Sequence, residues 1–239
     1  RHGCYGYFDD GERFAYFCRA VMESVQYMDD FYPDVIHCND WQTGMIPLYL
    51  SDVYKDRPEF SAAKSVYTIH NLKYQGRFSK SVISDLLGIG DEYFNEEKIK
   101  YYDGISFMKA GIVYADKVTT VSKTYAKEIQ QAYYGEGLDG LLRQKSNKLF
   151  GVINGIDYSK FDPRKDKYIA ANYGLTTVKN KEICKEDLQK ICGFPLDKDV
   201  PVVAMITRLV SQKGIDLVSR VIEDILKMNL QLVVLGTGD

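Results

Sequence analysis

Apolar and polar positions along the chain change period repeatedly, from helix-like to strand-like and back. Phe14, Phe17, Cys18, Val21, Val25 and Met28 recur at three and four positions, the spacing of one helix face. Asp9, with Glu12 three residues on, has the form of a capping box in front of that helix. Pro33 ends the pattern, and residues 35–38 read as a short buried strand. A helix is expected from about Thr43, with Pro47 near its tolerant first turn. Residues 65–70 are rich in β-formers and read as the next strand, while the tyrosine-rich stretch 72–104 shows no clear period. Helical spacing over 105–113 leads into a strand at 117–121, and Ser122 stands where it can cap a helix over 123–131. Gly135, Gly137 and Gly140 mark a loop before a strand at 149–153, which the turn-like Asn154-Gly155 ends. The pattern weakens over 157–179, the expected interdomain segment. A helix at 179–192, a strand at 201–207, a helix at 214–227 and a strand at 231–235 follow. Apolar strands separated by helices predict an α/β fold with parallel sheets covered on both faces. Two Rossmann-like domains are expected, the first over 1–160, then from 161 to 239 the interdomain segment and the opening of the second.

Composition narrows the function. With 31 Lys+Arg against 33 Asp+Glu the net charge is −2, so no broad positive field favours a nucleic-acid partner. No apolar run approaches the roughly 18 residues of a membrane span, and no membrane partner is expected. The five cysteines are odd in number and form no C-x-x-C pair, which fits a reducing cytoplasm better than a disulfide framework. Three dispersed histidines are too few for a histidine-based metal site, so no metal is expected.

In open parallel sheets, ligands bind beyond the carboxyl ends of the strands, so polar residues that directly follow a strand carry the functional weight. Four clusters do so. In the segment from His37 to Thr43, Asp40 can accept bonds from sugar hydroxyls and Trp41, the only tryptophan, can stack on a pyranose face; a helix cap beside a core tryptophan explains the pair equally well. His70 closes the second strand, where an imidazole can meet a substrate or serve as a structural residue. Asn154 can position a hydroxyl, although Asn-Gly is foremost a turn signal. Arg208 and Lys213 flank a strand-to-helix turn, a place that favours anions such as a diphosphate; a solvated basic loop is the plainer reading. There is no G-x-x-x-x-G-K-[ST] loop, G-x-S-x-G elbow or HExxH, and Gly236-Thr237-Gly238 is only half a dinucleotide fingerprint.

Read together, the segments 10–14, 37–43, 68–76, 109–112, 119–122, 134–140, 154–157, Arg208-Leu209 with 212–214, and 235–239 resemble the bacterial glycogen synthase and plant starch synthase family, in order and at about its spacings. The resemblance implies the GT-B arrangement and a retaining transfer of glucose from ADP-glucose to the non-reducing end of an α-1,4-glucan such as glycogen. It implies no metal or other cofactor and a bacterial, cytoplasmic setting. Carried over, it puts His70 against the transferred glucose near its 6-hydroxyl, with Asp40 and Asn154 lining the sugar site and Trp41 bordering it. Arg208 and Lys213 would hold the ADP phosphates, with Gln212 beside them. The family's N-terminal K-x-G-G loop and C-terminal paired glutamates are absent, so the chain reads as a central fragment, both Rossmann-like domains incomplete, and is expected to be inactive alone. Other readings are a UDP-glucose-dependent transferase of the sucrose synthase type, a non-catalytic glucan-binding module and, with no complete G-x-G-x-x-G, a nicotinamide dehydrogenase.

Overall fold

The computed structural model describes residues 3–238, in two units divided between Gly155 and Ile156. In the first, helix α1 (Asp10–Ser24) continues as a 3-10 turn, Val25–Tyr27. Its buried stripe is Ala15, Cys18, Met22 and Val25. Phe17 and Met28, expected to face inward, are 46% and 50% exposed. The reason is steric: small residues occupy the side of closest approach, where a β-carbon on Gly11 would come 2.9 Å from the Phe78 ring. The predicted capping box does not form, because Asp9 makes no side-chain cap bond. Asp10 anchors the entry instead, its carboxylate accepting from the Gly6 N–H (2.6 Å), the Tyr7 N–H (3.2 Å) and the Arg13 guanidinium (2.7 Å).

Strand β1 (Val35–Asn39) is followed by a 3-10 turn, Trp41–Thr43, and by α2 (Ile46–Leu48), which widens into a π turn at Tyr49–Val53. Strand β2 (Lys64–Ile69) comes next. The stretch that showed no period forms a small antiparallel sheet in the order β3-β5-β4, from β3 (Arg77–Phe78), β4 (Lys100–Tyr101) and β5 (Gly104–Ser106). Ile105 is therefore in a strand, and α3 (Phe107–Tyr114) starts two residues later than its spacing predicted. Pairing with β3 holds Ile105 and Ser106 extended, and the Ser106 hydroxyl then accepts the Lys109 N–H as the helix cap.

After α3 come β6 (Lys117–Thr120), α4 (Lys123–Glu128), α5 (Asp139–Gln144) and β7 (Leu149–Gly151). Ser122 caps α4 as expected, accepting the Tyr125 N–H at 2.9 Å. The predicted glycine loop is shorter than it looked, since α5 begins inside it at Asp139. The main sheet is parallel, in the order β1-β2-β6-β7. Cys38, Tyr67, Ile69, Val118 and Leu149 are buried on one face. On the other face Val35, His37, Asn39 and Phe150 are exposed, while Thr68 is buried. Period-2 alternation in β1 produces that split.

The second unit contains a 3-10 segment (Leu175–Asn180), α6 (Lys181–Ile191), β8 (Val202–Ile206), α7 (Ile215–Leu226) and β9 (Gln231–Leu235). Strands β8 and β9 pair in parallel from Val202↔Gln231 to Ile206↔Leu235. Pairing continues past the strand ends, the Leu209 N–H donating to the Thr237 carbonyl at 2.8 Å. A β-carbon on Gly236 would sit 1.9 Å from the Thr207 carbonyl oxygen, so those glycines serve the approach of two backbones. Among the described residues, the fully buried hydrophobic ones all belong to the first unit.

Candidate functional site

Parallel strands bring their carboxyl ends to one edge, which places Asp40, His70 and Asn154 at the same edge of the first unit's sheet. Strands β1 and β2 are neighbours, and their turns are bonded directly. The Asp40 carboxylate accepts the His70 backbone N–H at 2.8 Å and the Asn71 N–H at 3.4 Å. Asp40 holds φ 55°, ψ −176°, a region that residues other than glycine rarely occupy and that clusters at functional sites. The imidazole of His70 is exposed, its Nε2 3.0 Å from the side-chain oxygen of Asn39.

Register explains this contact. Asn39 pairs with Thr68, so His70, two residues on, lies diagonally across from it on the same face. His37 pairs with Val66 and by the same offset meets Thr68, its Nε2 2.7 Å from that hydroxyl. Thr68 meets Thr119 of the next strand at 2.6 Å. This face of the sheet thus carries two separate sets of polar contacts, His37–Thr68–Thr119 and Asn39–His70. Two turns past the site are also tied to it. The buried Gln75 side chain donates to the Glu136 carbonyl (2.9 Å), as does the Tyr101 hydroxyl (2.9 Å), which fixes the glycine loop beside the second cluster. Asn39, Gln75 and Tyr101 carried no role in the sequence reading. The period-2 register of β1 against β2 was the signal for Asn39; the other two depend on chain reversals that no local pattern encodes.

Trp41 is 9% exposed. Its ring packs edge-on against Phe14 (centroids 5.0 Å apart) and beside Phe78 and Phe107. A β-carbon on Gly76 would sit 2.4 Å from the same ring. Of its two readings, the core tryptophan describes these surroundings. Asn154 is exposed on the segment that leaves β7.

In the second unit, Arg208, Gln212 and Lys213 lie together between β8 and α7, all exposed. Gln212 and Lys213 belong to a 3-10 turn, Ser211–Lys213, and Gly214, with φ 76°, passes the chain into α7. Neither cation forms an ion pair among the described residues, so both are available to an anion. A cavity of about 950 Å³ in this unit, lined by Tyr158, Phe161, Tyr173 and Leu175 among others, contains none of the sequence-predicted residues. Among the described residues no cluster of His, Cys, Asp and Glu is arranged to hold a metal, and no helix is long and apolar enough to cross a membrane.

Residues 1–144 match the starch synthase catalytic domain family. The glycogen synthase of Clostridium acetobutylicum is 54% identical over 239 residues, covering all of this chain and 50% of that protein. That of Clostridium novyi is 53% identical with the same coverage. The catalytic domain of starch synthase IV from Arabidopsis thaliana, solved bound to ADP and acarbose, is 34% identical with a TM-score of 0.91, over 100% of this chain and 49% of that one. The chain thus spans about half the length of the curated relatives it matches, and its α/β fold is that of a starch synthase catalytic domain along its whole length. On the family match and these identities, the chain belongs to the starch and glycogen synthase family of glycosyltransferases.

Proposed function

We propose that the protein carrying this chain transfers glucose from ADP-glucose to the non-reducing end of an α-1,4-glucan, with retention at the anomeric carbon. The observation that carries the reading is the β1–β2 edge, where a strained Asp40 holds the turn that presents His70. The ADP in the Arabidopsis starch synthase structure supports the choice of donor.

The chemistry asks two things of the residues. As the bond to ADP breaks, positive charge grows on the sugar and negative charge on the diphosphate. Arg208 and Lys213 answer the second charge as fixed cations at the turn into α7, Gln212 beside them. His70, Asp40 and Asn154 answer the first need by orienting hydroxyls of the glucose. The hydroxyl at the non-reducing end of the glucan then attacks the anomeric carbon on the face from which the diphosphate leaves, through an oxocarbenium-like state, and its proton passes to the departing ADP.

Following labelled glucose from ADP-glucose into glycogen tests the proposal, with UDP-glucose as competitor. Lys213→Ala is expected to lower kcat/KM by about 100- to 1,000-fold, the scale of one preorganised group facing transition-state charge. An unchanged kcat/KM removes Lys213 from the mechanism. Equal use of UDP-glucose overturns the donor assignment.

A further inference from the structure

We propose that Asn39 is the positioning residue of His70, holding its imidazole as the Nε2–H tautomer so that Nδ1 faces the substrate as a hydrogen-bond acceptor. The proposal rests on the reading of His70 as a sugar contact and adds the direction of that contact: the sugar hydroxyl must donate. Its basis is local. The Asn39 side-chain oxygen, an acceptor, lies 3.0 Å from Nε2, and the tautomer of a neutral imidazole is set by the bond its other nitrogen makes.

Asn39 is itself held on both sides of its backbone. The Thr43 hydroxyl accepts the Asn39 N–H at 2.6 Å and donates to the Asn39 carbonyl at 2.8 Å. One oxygen of the neighbouring Asp40 carboxylate, Oδ1, accepts the backbone N–H groups of His70 and Asn71. The two adjacent residues thus divide the work: Asp40 fixes the main chain of the turn and Asn39 fixes the ring.

Long-range ¹H–¹⁵N spectra of protein labelled at histidine read the tautomer directly. Recorded at pH about 8.5, above the ordinary histidine range, with His70→Gln to assign the signal, the His70 resonances should show a protonated Nε2 and a pyridine-like Nδ1. Asn39→Leu should shift this toward a mixture, while Asn39→Asp, which retains an acceptor, should not. His37, bonded to Thr68, is the internal control and should not change. In the glucose-transfer assay, Asn39→Leu should lose about 10-fold in kcat/KM and lose discrimination against a donor lacking the sugar 6-hydroxyl. A protonated Nδ1 in the unaltered protein, or an unchanged tautomer in Asn39→Leu, overturns the proposal. If the tautomer behaves as described but His70→Gln transfers glucose at the full rate, the sugar-contact reading fails and the positioning of the ring by Asn39 stands.

Discussion

Asp40 concentrates the functional logic of the edge into one residue. Its backbone conformation is one that glycine adopts freely, while its carboxylate is needed by the next strand's turn. The two demands separate by mutation. Asp40→Ala loses the carboxylate and keeps the strain, whereas Asp40→Gly loses the carboxylate and relieves it. Urea denaturation should find the alanine variant less stable than the glycine variant by about 1–3 kcal/mol, while both lose glucose transfer. The thiols make a second prediction at this scale. Burial pushes Cys18 and Cys38 up to about 12, and both are fully enclosed. Maleimide labelling of the native protein, read by mass spectrometry, should modify the exposed Cys4 and spare those two until denaturant is added. His70 and Asn154 were legible as candidates because each closes or follows an expected strand, and Arg208 and Lys213 because they flank a strand-to-helix turn. Trp41 was not decidable, because a tryptophan beside a site and one beneath it have the same sequence.

Elements here are set as much by what lies across from them as by their own period. Gly76 has φ 59° and its α-carbon faces the Trp41 ring, so the turn after β2 is built around the indole. Gly76→Ala should cost upward of about 2 kcal/mol, from left-handed strain and overpacking together, measured as a lower urea midpoint. Helix α3 shows the same dependence at its far end. The Lys148 ammonium, from the turn before β7, donates to the Val113 and Ala115 carbonyls, closing the helix C-terminus. Burial pushes that ammonium down to about 8 from an ordinary 10.5. Between those values the unfolded chain holds the extra proton, so this group's contribution to stability rises with pH. The stability difference between the unaltered protein and Lys148→Met should therefore shift in favour of the unaltered protein from pH 8 to 10.5. Comparing the pair removes the opposing effect of Cys18 and Cys38, whose raised values make stability fall above about pH 9.

At the scale of the molecule, the fully buried apolar side chains among the described residues all lie in the first unit, and those of the second unit are at most partly buried. Local stability follows buried contacts. Hydrogen exchange should accordingly show β2 and β6 among the most protected segments and β8 and β9 exchanging far faster. Equal protection of the two sets would contradict this distribution. By itself the sequence determined the α/β class, most strands to within a residue or two, the Ser122 cap and the residues at the strand ends, because each follows from local spacing and from the rule that parallel strands end at a common edge. Only the tertiary structure decided which stripe of α1 turns inward, where α3 begins and that Asn39 meets His70. Those outcomes depend on contacts between segments far apart in the chain, Gly11 with Phe78, β3 with β5 and β1 with β2, where steric fit and register choose among local patterns that are otherwise equally good.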